Sequence, residues 1–251
     1  MDRLENLKNI IMYLMADEHV SHQIPSSLEE RQRMMRALMN VWEPRLIAED
    51  FLMKQDAELQ MQREEKGIVE ISDITPQTSD IRLWQGDITR LKVDAIVNAA
   101  NAQALGCWAP LHNCIDNCIH SAAGIQLRKE CADKMQGRLL ATGDAFITQG
   151  YNLPARHVIH TVGPIIPDGI PTKEQEEQLA QCYRSCLDLA EQNGLESIAF
   201  CCISTGVFHF PNELAARIAI ETVKSYPRHA LKTIVFNVFL DKDRDIYRQL
   251  L

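Results

Sequence analysis

The sequence predicts an α/β sandwich carrying a helical extension at its N-terminal side. Three observations predict it. From Ile81 onward, short apolar runs alternate with longer stretches of helical periodicity, and runs such as Ala95-Ile96-Val97 and Ile234-Val235-Phe236 are apolar on both faces. Such runs mark strands covered by helices from both sides. Before residue 67, apolar residues recur at three-four spacing instead, the pattern of amphipathic helices. The composition divides along the same line: eight of the nine Met lie at or before Met61, and all eight Cys lie at or after Cys107. Two units follow, a helical extension over residues 1–70 and an α/β unit over 71–251.

Leu4, Leu7, Ile11 and Leu14 form one face of a first helix. Ser26 or Ser27 can cap a second, with Glu29 and Glu30 in its first turn, where negative charge is favoured. That helix runs through Met34, Met35, Leu38 and Trp42 until Pro44. A third runs from about Leu46 to Lys66, and Gly67 ends it. Methionine-rich helices serve as adaptable core filler or, alternatively, as a partner-binding surface. Beyond them, strands are predicted at 81–84, 93–99, 144–149, 157–161, 197–202 and 233–239, and helices at 113–135, 173–192, 212–225 and 244–251.

Composition excludes several roles. No run of 18 apolar residues exists, so no transmembrane helix is expected. The first twenty residues lack a basic segment followed by a clean apolar stretch, so no secretory signal is expected either. Eight cysteines without an export signal point to reduced thiols and a cytoplasmic protein. The net charge of −8, with no basic block, opposes a nucleic-acid role.

Four stretches could carry chemistry. LWQGDIT (83–89) ends a strand and places Asp87 at its C-terminal edge, where ligands bind in open α/β sheets. There Asp87 can accept from an amine such as adenine N6, or simply close its own turn. VDAIVNAAN (93–101) delivers Asn98 and Asn101 to the same edge, and an Asn amide suits ribose hydroxyls as donor and acceptor. GCWAPLHNCIDNCIH (106–120) gathers Cys107, His112, Cys114, Cys118 and His120. Thiolate and imidazole are the preferred zinc ligands, and Cys107, His112 and Cys114 at C-x4-H-x-C spacing would leave a fourth position open. Cys118 is the alternative fourth ligand, and unligated core thiols are the bland reading. CCISTGVFHFP (201–211) ends a strand in a small-residue loop before a helix, a place where backbone N–H groups hold anions. Neither G-x-x-x-x-G-K-[ST] nor G-x-G-x-x-G occurs, so no P-loop or Rossmann site is expected. Cys131, Cys182 and Cys186, together with Trp84, His157 and His160, read as packing.

In combination, GDIT (86–89), VDAIVNAAN (93–101), IDNCIHSAAG (115–124) and STGVFHFP (204–211) resemble the macrodomain family of ADP-ribose-binding modules, over about residues 81–240. The resemblance implies a three-layer α/β/α fold with a mixed central sheet. The glycine-rich stretch of MacroD-type hydrolases is replaced here by GCWAPLHNC, which looks like the zinc-containing branch found in bacteria whose sirtuin-like transferase modifies a lipoylated carrier. A helical extension is typical of that branch.

Carried over, Asp87 and Ile88 would hold the adenine. Asn101 would contact the distal ribose, and Ile115 and Asp116 match the catalytic-loop pair. Ser204, Thr205, Gly206, Val207 and Phe208 would cradle the diphosphate and distal ribose. Cys107, His112 and Cys114 would bind one Zn2+ beside the ribose anomeric carbon, with Cys107 also lining the ligand. Asn101 and Asp116 are the expected catalytic residues, Asn101 orienting the ribose and Asp116 a water or a ribose hydroxyl. The expected activity is removal of mono-ADP-ribose from a carboxylate side chain of a protein, a carrier resembling the glycine-cleavage H protein. The alternatives are an ADP-ribose reader with a structural zinc and an O-acyl-ADP-ribose deacylase.

Overall fold

The computed structural model describes residues 2–251. Three helices open the chain: α1 (Arg3–Asp17), α2 (Leu28–Val41) and α3 (Glu49–Lys66). Ser27, the second of the two candidate serines, caps α2 by accepting the Glu30 N–H at 3.3 Å, and the Glu30 carboxylate accepts the Ser27 hydroxyl at 2.7 Å. Gly67 ends α3 in a backbone with φ +77°, which a residue with a Cβ adopts only under strain. α3 starts at Glu49, later than the expected Leu46, because the chain stays extended after Pro44 and Ala48 is still in the β region. Leu46 is thereby left 90% exposed.

The helices pack around Leu7, Ile10, Ile11, Leu14, Phe51 and Trp42. Met35 and Met39 fill gaps among them, whereas Met53 is 66% exposed, so only part of the methionine stretch is core filler. Glu58 is fully buried, and its carboxylate is satisfied by Arg3 Nε (2.9 Å), Gln32 Nε2 (2.9 Å) and Gln62 Nε2 (2.8 Å).

Beyond α3 the described residues form strands β1 (Val69–Glu70), β2 (Ile81–Gln85), β3 (Leu91–Lys92), β4 (Ala95–Ala99), β5 (Ala145–Gln149), β6 (His157–Thr161), β7 (Ser197–Phe200) and β8 (Thr233–Val238), so strand structure begins just before the expected boundary at 71. β1 and β3 pair as a short parallel ribbon. The other six form one sheet in the order β2-β8-β7-β4-β6-β5, parallel throughout except for β5 against β6. The sheet is therefore mixed, as the resemblance implies. Helices α4 (Ile115–Ala123) and α5 (Ile125–Met135) cover one face, and α6 (Lys173–Gln192), α7 (Asn212–Ser225) and α8 (Asp241–Leu250) cover the other. The result is a three-layer α/β/α unit whose core includes the buried thiols Cys131, Cys182, Cys186 and Cys201. No helix among the described residues is long and apolar enough to cross a membrane.

α2 and α3 lie on α4, outside the three layers. The helical unit does not close on itself, because Ile125 of α5 completes its core. α3 also grips that helix, with Gln55 Oε1 accepting the Ile125 N–H at 3.0 Å and Gln55 Nε2 donating to Gln126 Oε1 at 2.7 Å.

One expected helix is corrected. Residues 113–135 form two helices, α4 and α5, broken at Gly124 (φ +102°). The sequence hides the break because Ile119, Ala123, Leu127 and Cys131 keep a four-residue spacing across it, all fully buried. A Cβ at Gly124 would lie 2.4 Å from Gln126 Oε1 and 2.7 Å from Gln55 Nε2. Gly124→Ala is therefore expected to destabilise the chain by about 2–3 kcal/mol, through strain and through displacement of α3. Chemical denaturation measures it, and an unchanged midpoint would show that the break is not required. α8 also differs from expectation, beginning at Asp241 rather than at Arg244.

Candidate active site

The parallel strands β2, β8, β7 and β4 are neighbours, so their C-terminal ends share one edge. Each end leads into a stretch that the sequence singles out or adjoins. After β2 comes Asp87, whose Oδ1 accepts from the Thr89 N–H (3.0 Å) and the Thr89 hydroxyl (2.7 Å). Its Oδ2 lies 3.6 Å from Lys66 Nζ at the end of α3. The turn thus uses one oxygen, and the other faces the Lys66 ammonium. Ile88 is 3% exposed with its side chain in the core, so only its main chain is left to meet a ligand.

After β7, Ser204 (φ +65°) and His209 (φ +58°) bend the chain into a closed loop. Phe210 N–H donates to Ser204 O (3.0 Å), and His209 N–H donates to Gly206 O (3.1 Å). The N–H groups of Gly206, Val207 and Phe208 donate to no backbone carbonyl among the described residues. Successive free N–H groups in a bent loop are an anion-binding concavity. The loop is held hard against the sheet: a Cβ on Gly163 would lie 2.0 Å from Ser204 Oγ.

After β4, Asn101 Oδ1 accepts the N–H groups of Gln103 (3.0 Å) and Ala104 (3.2 Å). Asn101 Nδ2 donates to Gly106 O (3.2 Å) and to Asp116 Oδ2 (3.3 Å). Its amide therefore first builds the turn that launches the cysteine loop. Asp116 is 5% exposed, in the first turn of α4 behind the half-buried Ile115, and its other oxygen accepts from Asn98 Nδ2 at 2.8 Å. Burial raises its pKa to about 6, against the lowering by the Asn98 hydrogen bond.

Below it, Asn98 Nδ2 is 3.2 Å from His160 Nδ1, and His160 Nε2 is 3.0 Å from Thr148 Oγ1. That pattern assigns the proton to Nε2. Burial holds His160 down at about pH 3, so it is neutral. His160 is thus more than packing: it supports the amide that supports Asp116. His120 Nε2 lies 3.6 Å from Asp116, beyond hydrogen-bond reach, and burial keeps that ring neutral too, so the two do not form an ion pair.

The loop between Asn101 and α4 brings Cys107, His112 and Cys114 together. Their ligand atoms all lie within 4.8 Å of one another, with Cys107 Sγ 3.6 Å from His112 Nδ1. Two sulfurs and one imidazole nitrogen make a donor set suited to zinc. Burial pushes the Cys114 thiol up to about 12, with the neighbouring Cys107 adding to it, and a bound cation is what would stabilise the thiolates. Cys118 is not in the group; its Sγ is 3.9 Å from Arg36 Nη2 on α2.

A macro domain family model matches residues 97–219. The protein-ADP-ribose hydrolase of Treponema medium is 48% identical over 252 aligned residues, which span 96% of each chain. The chain belongs to the macro domain family. A second protein-ADP-ribose hydrolase, from Staphylococcus aureus strain MSSA476, is 45% identical over 99% of this macro domain protein and 97% of its own length. Among solved structures, the Trypanosoma brucei macrodomain in complex with ADP-ribose superposes with a TM-score of 0.64 at 33% identity, covering 84% of this chain and 92% of that one. The Oceanobacillus iheyensis macrodomain with ADP gives 0.62 at 38% identity, covering 70% and 93%.

In this macro domain one residue of the shared edge escapes the sequence reading. Phe239, just past β8, is 71% exposed, and its strand runs beside Asp87 because Gly86 N–H donates to Val238 O at 2.9 Å. Residues 233–239 read as one apolar strand, so nothing in the sequence separates the outward Phe239 from the buried Phe236. The available signal was an aromatic residue at the C-terminal end of an expected strand, the edge where ligands bind.

Proposed function

We propose that this macro domain is a protein-ADP-ribose hydrolase that frees mono-ADP-ribose from a carboxylate side chain, with zinc held by Cys107, His112 and Cys114. The observation that carries the reading is the convergence of those three donors on the loop that delivers Asp116. Asp87 Oδ2 and the Ile88 N–H would take the amine edge of adenine, and Phe239 would stack on its face. The N–H groups of Gly206, Val207 and Phe208, with the Ser204 and Thr205 turn, would hold the diphosphate through dipoles that need no rearrangement during reaction. This remote grip fixes the distal ribose, so the reacting carbon meets the loop in one orientation. Asn101 sits between the loop and Asp116, and would hold the ribose through the same amide that shapes the turn. Asp116, raised toward neutrality by burial, can hold or release a proton at its carboxylate and so orient the attacking water or a ribose hydroxyl. Zinc held there by Cys107, His112 and Cys114 would supply Lewis acidity beside the ribose.

The resemblance to the zinc-containing branch supports a lipoylated carrier as the modified protein, met in the cytoplasm. A reader with a structural metal is the rival. It needs a closed shell, and Cys118, the nearest further thiol in sequence, is turned to Arg36 instead.

The test is release of ADP-ribose from a carboxylate-linked, mono-ADP-ribosylated lipoylated carrier, with zinc quantified before and after chelation. Release that survives complete chelation sinks the zinc mechanism; tight ADP-ribose binding without release makes the protein a reader. Phe239→Ala is expected to weaken ADP-ribose binding by about 1–3 kcal/mol, the usual worth of base stacking. Calorimetric titration checks it, and an unchanged Kd removes Phe239 from the site.

A further inference from the structure

The loop from Gly106 to Cys114 has no helix or strand of its own. Leu111 within it has φ +59°, a backbone that Leu does not adopt unaided. Asn101 and Arg128 hold its first residues from within the α/β unit, at Gly106 O and Cys107 O, and the bend itself is held from α2. Asn40, near the end of α2 and 1% exposed, accepts the Leu111 N–H at 2.9 Å and donates to Ser121 Oγ on α4 at 3.0 Å. One turn earlier on α2, Arg36 Nη2 donates to His112 O at 2.8 Å and to Asn117 Oδ1 at 2.9 Å. Asn117 Nδ2 in turn donates to Ala109 O at 3.0 Å. The two α2 side chains, spaced four residues apart, thus share one helix face and pin the loop on both sides of the Leu111 bend.

We propose that Arg36 and Asn40 are positioning residues of the hydrolase site, and that α2 is the frame on which Cys107, His112 and Cys114 converge. Neither side chain hydrogen-bonds a ligating atom; Arg36 meets His112 at its main-chain carbonyl. They set the φ/ψ path between Cys107 and Cys114, and so the separation of the donors. The N-terminal helical unit is on this account a working part of the site. The effect on turnover rests on the zinc reading above; the effect on the loop does not.

The test uses the full-length chain with Arg36→Ala, Arg36→Lys and Asn40→Ala. Amide hydrogen exchange across residues 106–114 is read on metal-free protein. Co2+ binding is read from its thiolate charge-transfer absorption, and ADP-ribose binding by calorimetry. Arg36→Ala and Asn40→Ala are expected to speed exchange across the loop. They should also weaken Co2+ by roughly 10–100-fold, the usual effect of removing an outer-shell support. ADP-ribose binding should be largely kept, because neither Arg36 nor Asn40 hydrogen-bonds Asp87, Phe239 or residues 204–208. Arg36→Lys should recover part of the loss, since an ammonium can replace one of the two donated bonds. If Asn40→Ala fails to fold, the half-buried Arg36 decides alone. Loop exchange at the wild-type rate in a folded variant overturns the proposal. A wild-type protein that takes no Co2+ ends the zinc reading and leaves loop exchange to decide this one.

Discussion

Cys107→Ala is expected to abolish metal binding and, with it, nearly all ADP-ribose release. Three donors hold the ion in the proposed site, and removing one leaves a two-ligand site that cannot compete with water or chelator. Turnover should fall by roughly 100-fold or more, because second-shell changes alone typically cost 10–100-fold. Binding of free ADP-ribose should be largely retained, since the adenine and diphosphate contacts lie on other strands. Zinc content by mass spectrometry and single-turnover release on the same sample check both halves. A variant that keeps full activity without zinc ends the proposed mechanism and moves the chemistry to Asp116 and Asn101 alone.

Arg128→Ala should be the most destabilising of the changes considered, by about 3–5 kcal/mol. Arg128 is 2% exposed. Its Nη1 donates to the carbonyls of Asn40 (2.8 Å), Trp42 (2.8 Å) and Met39 (3.3 Å), which are the orphan acceptors at the end of α2. Its Nη2 reaches Cys107 O at 3.4 Å, and the guanidinium lies 4.1 Å from the Trp108 ring centroid. Truncation leaves these carbonyls buried without a donor and removes a cation–π contact. At about 2–4 °C per kcal/mol for a chain of this size, Tm should fall by roughly 6–20 °C. Arg128→Lys should recover little, because a single ammonium cannot serve four carbonyls and stack on an indole. A melting temperature within a degree of wild type would show that α2 is held by its apolar face alone.

Much of this molecule was legible in the sequence, and the reasons can be named. Ser27, Gly67 and the doubly apolar strands announced themselves because caps, stops and buried strands each depend on a local residue preference. The four edge motifs stood out only in combination, since each alone also reads as a turn, a strand end or a packed thiol. The break at Gly124 was hidden, because apolar spacing reports a face and that face continues unbroken from α4 into α5. Phe239 was hidden because period and composition do not say which apolar residue of a run is the last one inside. The support under Asp116 was hidden as well. His160 lies 62 residues from Asn98, and only strand pairing between β4 and β6 makes them neighbours. Arg36 and Asn40 were hidden too, because their partners on the loop lie 76 and 71 residues further along the chain.

The distribution of thiols has a practical consequence. Cys131, Cys182, Cys186 and Cys201 are sealed in the core, where burial keeps each protonated, while Cys107, Cys114, Cys118 and Cys202 are half-buried and within reach of a reagent, although burial raises Cys114, Cys118 and Cys202 as well. Thiolates, not thiols, react with alkylating reagents. The sealed four should therefore stay unlabelled in the native protein and take up reagent only when the sheet opens. Counting labels by mass spectrometry during denaturation would make the chain its own unfolding clock, without any introduced probe.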